Sequence, residues 1–205
     1  MKKMVRNLLL GTSLAGMALL TAAAQDRVEE SSTGKSFETQ TVFTHNGSQY
    51  AQKLTGVTVR KKLVFKVYAM AHYMQDPAAG SKEAALESIL SDGKAKQITM
   101  VFVRDVDRQK IQDAYRDGFK ENATAEDLKK MQPSVDQFVS FFSSDVKEDD
   151  QFVLHWLPGG VVIANVQGTE KPEIKDPLFA RTLWSIWFGE DSIVRRNDLV
   201  SRMIP

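Results

Sequence analysis

The sequence has no cysteine among its 205 residues. Disulfides, thiol nucleophiles, iron–sulfur clusters and cysteine-based zinc sites are therefore excluded, as is lipid attachment at a cysteine. In an oxidising compartment such a chain depends on packing alone. Histidine is nearly as scarce. His45, His72 and His155 stand too far apart in sequence to form a spaced ligand pair, and no HExxH or DxDxDG loop occurs, so no metal site is expected. Phosphate loops are missing as well. Gly159-Gly160 precedes a strand pattern, so it cannot aim helix N-terminal amides at a phosphate. No GxSxG elbow is present, which weakens an α/β-hydrolase reading. No cofactor is expected.

An excess of one charge sign is also lacking. Lys and Arg number 27 against 26 Asp and Glu, and no long basic run or basic helical face occurs. This balance argues against nucleic acid and against anionic membrane surfaces as partners. One apolar run of length is found, Leu8 to Leu20, preceded by Lys2, Lys3 and Arg6 and followed by Ala22-Ala23-Ala24. Its 13 residues fall short of the roughly 20 that a membrane span needs. A basic start, a short apolar stretch and a small-x-small site make residues 1–24 a cleavable signal peptide. The expected product is exported to the periplasm or secreted, with no integral membrane segment after cleavage. It carries 24 basic and 26 acidic residues. Its length suits one domain with a sizeable core.

Residues 25–36 are polar and read as a loose leader, and 37–205 as the domain. Strand patterns run Phe37–Phe43 and Gln49–Val59, joined at Asn46-Gly47, a hairpin signal. A turn at Lys61-Lys62 leads into a third strand, Leu63–Met74. There Tyr68, Met70, His72 and Met74 share one face and Ala69, Ala71 and Tyr73 the other. Both faces are largely apolar from Val67 on, so both should be covered. Ser81 caps a helix reaching Leu90, and Gln97–Val103 is a central strand. A helix over 107–121 places Ile111, Ala114, Tyr115 and Gly118 on one stripe. Another over 124–142 should kink or split at Pro133. Strands 151–157 and 161–166 flank Pro158-Gly159-Gly160. Pro177 opens a helix that Gly189 stops, and a short helix covers 196–203. Trp184 and Trp187, three apart on the 177–188 helix, should pack inward. The order predicts an α+β fold, a largely antiparallel sheet packed against a helical layer.

One stretch carries chemistry, GVTVRKKLVFKVYAMAHYM at 56–74. Arg60 lies where an apolar strand meets a turn, and Tyr68 lies inward on the next strand. An Arg fork beside a Tyr phenol in an apolar pocket would clamp a carboxylate or enolate. The plainer reading is a solvated basic turn with Tyr68 in the core, and the residue pattern alone leans that way.

Gly56-x-x-x-Arg60-Lys61-Lys62, Phe65-Lys66-Val67-Tyr68-Ala69, Ala114-Tyr115-Arg116-Asp117-Gly118-Phe119, Trp156-Leu157-Pro158-Gly159 and Ile186-Trp187-Phe188-Gly189 together resemble the chalcone isomerase-like family, in particular its bacterial exported branch. The resemblance implies an antiparallel sheet layered against helices with a ligand cleft between. It also implies one of two functions. Plant members cyclise chalcones, an Arg holding the developing phenolate. Non-catalytic members bind fatty acids, with an Arg and a Tyr on the carboxylate. Arg60 matches the shared arginine. Tyr68 falls where the binders have Tyr and the isomerases Thr, although the hairpin joining the two is shorter here than in plant members. The helical Tyr and Asn of the isomerases have no secure counterparts, the nearest positions being Asp107 and Ala114, and their later Thr is Ile186. The resemblance thus implies a non-catalytic periplasmic binder of a small amphipathic carboxylate or other hydrophobic ligand, with Arg60, Tyr68 and Tyr115 as ligand-binding residues. The alternatives are an isomerase of the chalcone type, with Tyr68 or Tyr115 supplying the proton, and a structural or interaction protein.

Overall fold

A computed structural model describes residues 26–204. The segment read as a signal peptide lies outside the described residues. Seven strands form the spine of one antiparallel sheet. In spatial order they are β10 (Ile174–Lys175), β8 (Val161–Val166), β7 (Gln151–Leu157), β6 (Lys96–Phe102), β5 (Phe65–Met74), β4 (Ser48–Lys62) and β3 (Gln40–His45), with β9 (Thr169–Glu170) paired to β8. Helices α1 (Lys82–Leu90), α2 (Arg108–Glu121), α3 (Ala125–Ser140), α4 (Pro177–Phe188) and α5 (Arg196–Leu199) complete the chain. The fold is α+β, as the element order implied. Among the described residues no helix is long and apolar enough to cross a membrane.

Local chemistry sets the boundaries. The Ser81 hydroxyl accepts from the Ala84 amide, and Asp107, Thr124 and Asp176 cap α2, α3 and α4 through their side chains. Pro177 occupies the first turn of α4, where no amide is needed. The Asn46-Gly47 turn joins β3 to β4 with both residues at positive φ.

Four expectations are corrected. The polar stretch 25–36 is not a loose leader from Arg27 on. Residues 27–38 form a second small sheet, β1 (Arg27–Glu30) against β2 (Lys35–Glu38). The turn after β4 falls at Leu63-Val64, two residues later than expected, because Lys61 and Lys62 still pair with Lys66 and Phe65. The α3 helix runs unbroken through Pro133. The last helix stops at Leu199.

Both faces of β5 are covered, as its sequence required. Tyr68, Met70 and Met74 join the main core with α2, α3 and α4. Ala69, Ala71 and Tyr73 pack with Leu54 and with Phe37 of β2 on the opposite face. The sheet is strongly curled: Phe43 on β3 stacks on His155 of β7 at 3.6 Å, although β4, β5 and β6 lie between them in the ladder.

Candidate functional site

The site begins with an irregularity in β4. Leu54 faces Tyr73, while Gly56 faces His72, so Thr55 is an extra residue in the ladder. Side chains alternate along a strand, and one extra residue moves everything beyond it to the other face. Leu54 therefore packs on the β1–β2 side, whereas Arg60, also at an even position, turns towards the helices. The Thr55 hydroxyl secures the bulge. It lies 2.7 Å from the Leu199 carbonyl and 2.7 Å from His72 Nδ1. Trp184 Nε1 approaches His72 Nε2 at 3.4 Å, which assigns the proton of His72 to Nδ1. Burial, then the charge of Lys96, holds His72 well below its usual range, so it is neutral. Gly56 follows because α5 sits against it. A Cβ there would lie 2.1 Å from the Asp198 carbonyl oxygen.

Arg60 and Tyr68 are direct cross-strand partners, whose Cβ atoms stand roughly 5 Å apart in such pairs. A second irregularity, between Arg60 and Lys61, fixes this pairing just before the turn. The structure thus brings together the two residues that the sequence singled out. Arg60 is half-buried, and its Nη1 donates to the carbonyls of Lys61 (2.5 Å) and Ile193 (2.9 Å). Its Nε and Nη2 donate to no protein group among the described residues. The Tyr68 oxygen accepts from Trp187 Nε1 at 2.9 Å, which leaves its own hydrogen available. Burial pushes the phenol up to about 12, with the Trp187 bond and the Arg60 charge opposing. Tyr68 is therefore a protonated donor at neutral pH.

Tyr115 on α2 is buried in the same neighbourhood, not against Arg60. Six aromatic side chains close a circuit. Tyr68 meets Phe102 at 5.4 Å, Phe102 meets Phe152 at 4.8 Å, and Phe152 meets Phe142 at 5.1 Å. Phe142 stacks on Tyr115 at 4.8 Å, and Tyr115 meets Trp187 at 6.3 Å. The Trp187–Tyr68 hydrogen bond closes the circuit. Burial raises the Tyr115 phenol well above its usual range. Gly118 lets α2 approach α4 here, since a Cβ would come within 2.9 Å of Ile186 Cδ1. Trp184 and Trp187 are core residues, as their spacing implied.

The residues missed by the sequence reading are Trp187 as the phenol's partner and the Ile193 carbonyl as the guanidinium's anchor. Both sit on the segment that closes α4. There Ser192 Oγ donates to the Trp187 carbonyl, the Ile193 amide to Ile186 O and Arg196 Nη1 to Gly189 O. No local signal marks a partner 119 or 133 residues away. Ile193 also lines a groove of about 510 Å³ with Glu29, Glu30, Thr58, Lys61 and Asp198. Arg60 is thus anchored to a residue that lines that groove.

The arrangement offers a guanidinium with two nitrogens unused among the described residues, a phenol on the paired strand and aromatic side chains around that phenol. That set binds an anion with two oxygens and an apolar body. No curated protein matches this sequence. A crystal structure of a fatty-acid binding protein from Arabidopsis thaliana has the same fold. Its TM-score is 0.69 at 17% identity, over 87% of this chain and 97% of that one. The family model described as chalcone isomerase-like matches residues 32–200. This chain belongs to the chalcone isomerase-like family.

Proposed function

We propose that this protein is a non-catalytic binder of a small amphipathic carboxylate such as a fatty acid, held by Arg60 and Tyr68 and exported to the periplasm. One observation carries the reading. Arg60 is anchored through Nη1, its Nε and Nη2 donate to no protein group among the described residues, and Tyr68 is its direct partner on the neighbouring strand. The Nε–Nη2 edge matches a carboxylate, taken bidentately. Tyr115 and the other aromatic side chains would contact the acyl tail. The solved fatty-acid binding protein of the same fold supports the choice of ligand. An isomerase is less well supported. Tyr68 holds its proton, and the position that resembles the plant threonine is the buried, apolar Ile186.

Native mass spectrometry of freshly purified protein should show an acyl-chain adduct. Charge-assisted bonds to a buried carboxylate contribute about 1.5–3 kcal/mol each. Arg60→Ala should therefore weaken fluorescent fatty-acid binding at least tenfold, and Tyr68→Phe several-fold, with unfolding curves checking that both variants fold. Absence of any adduct together with unchanged binding by folded Arg60→Ala would sink the proposal. Export is tested separately, by N-terminal sequencing of periplasmic material, which should begin at Gln25.

A further inference from the structure

The tip of the β4–β5 hairpin has a composition that folding does not explain. Leu63, Val64 and Phe65 are 89%, 85% and 55% exposed. Leu63 adopts φ +55°, a conformation that suits glycine or asparagine and is costly for a branched side chain. Two other tight hairpins of this sheet place polar residues and glycine at positive φ, Asn46-Gly47 and Gln167-Gly168. Here a strained backbone position holds a leucine that stays exposed, and such strain points to a use outside the fold.

Cations surround the apolar tip. Lys61, Lys62 and Lys66 flank it, and the Arg104 guanidinium lies 4.8 Å from the Phe65 ring centroid. None of the four makes an ion pair among the described residues. Lys66 donates to the Ser32 carbonyl. No acidic residue occurs between Glu38 and Asp76. Of the three carboxylates sharing a groove with Lys61, Glu30 is turned onto Ser32 and Thr33 and Asp198 onto Arg195, while Glu29 makes no ion pair with Lys61 among the described residues. The near-neutral balance of the whole chain conceals this local field.

We propose that the β4–β5 tip docks the protein on an anionic lipid bilayer. Leu63, Val64 and Phe65 enter the interface, and Lys61, Lys62, Lys66 and Arg104 meet the headgroups. A two-residue turn is a narrow wedge, too small for the roughly 800 Å² that a stable protein partner covers. A bilayer accepts a wedge, and lysines extend along it to reach phosphate. Apolar insertion and basic attraction together supply the two signals that peripheral attachment requires. This inference goes beyond the proposed ligand and stands whether or not Arg60 holds an acid.

The absence of native cysteine makes a single introduced thiol a unique labelling site. Full-length Val64→Cys and Val42→Cys carry a polarity-sensitive fluorophore. Val42 is also exposed, at 60%, but lies on β3, whose far side from the tip is marked by its pairing with Ala51. That is roughly 35 Å along β4 from the turn. Phosphatidylglycerol vesicles should blue-shift the probe at 64, and brominated acyl chains should quench it, with no such effect at 42. Attachment through another part of the chain gives no signal specific to position 64. Lys61→Gln and Lys62→Gln should each weaken the response about fivefold. No lipid response at 64, an equal response at 42, or an equal response to phosphatidylcholine would overturn the proposal. So would a lipid-free shift that grows with protein concentration, which would assign the tip to a second copy of this chain.

Discussion

Lys96 is a fully buried lysine in the middle of an apolar layer. Its amine donates to the Ser91 carbonyl at 2.5 Å and lies 3.7 Å from the Trp156 ring centroid. Burial drives it down to about 8, the Asp92 charge opposing and Lys94 adding. Below that pH both native and unfolded chains hold the proton, and the native state bears the cost of a buried charge. Between about 8 and the ordinary 10.5 only the unfolded chain holds it, so stability rises with pH. The gain from pH 7.5 to 9.5 is about 2 kcal/mol. Denaturant unfolding at the two pH values should show it, and Lys96→Met should flatten the difference. A flat wild-type profile would remove the argument. The window ends near 10 because Tyr68, Tyr73 and Tyr115 are all raised by burial. They keep their protons in the native state while the unfolded chain loses them, which reverses the slope. At this scale the sequence was informative about the site, because Arg60 and Tyr68 are close enough in the chain to be read as one hairpin. Lys96 was not legible. A lysine at the start of a strand reads as solvated until Trp156, 60 residues away, is placed beneath it.

Elements show why that reading was incomplete even for Arg60. Period-two alternation places Leu54, Gly56, Thr58 and Arg60 on one face, and it fails at Thr55. A bulge leaves no composition signal here, because its determinants are the carbonyl of Leu199 and the ring of His72. Thr55→Val keeps the shape and removes the hydroxyl. It should strand two buried groups and cost about 2 kcal/mol. If the bulge also relaxes, Arg60 leaves the helix side, and fatty-acid affinity should fall in the folded variant. Denaturation and the binding assay read these effects separately, and unchanged stability would show that the hydroxyl does not hold the bulge. The β1–β2 hairpin was hidden for a different reason. Its burial rests on Phe37, supported by Val28, in an otherwise polar stretch. Two apolar residues give no period to detect. Helices α1 to α4 were legible because caps, breakers and apolar stripes are local. Pro133 misled only in suggesting a break.

The whole molecule is a curled sheet with helices on one face and the β1–β2 hairpin on the other, and the curl brings edge to interior at His155. Composition could not place this contact, since it joins strands that are not neighbours in the ladder. Phe43 covers the His155 ring, and Nδ1 of that ring has no hydrogen-bond partner among the described residues. Burial, with His45 adding repulsion, lowers His155 to about 3. The native protein therefore keeps it neutral, while the unfolded chain takes up a proton below the ordinary 6.5. Stability is present above that value and is lost as pH falls from 6.5 towards 3. His72 acts in the same direction. By pH 4.5 the His155 contribution alone amounts to roughly 2–3 kcal/mol. For a protein we propose to be exported, and thus exposed to external pH, this is the exchange through which acidity would open the curl. His155→Phe preserves the stack on Phe43 and removes the titration. It should leave stability at pH 7 within about 1 kcal/mol and move the acid unfolding midpoint to lower pH, followed by circular dichroism. An unmoved midpoint would assign acid sensitivity to His72 and to the carboxylates lowered by hydrogen bonds, Glu30, Asp92 and Asp105.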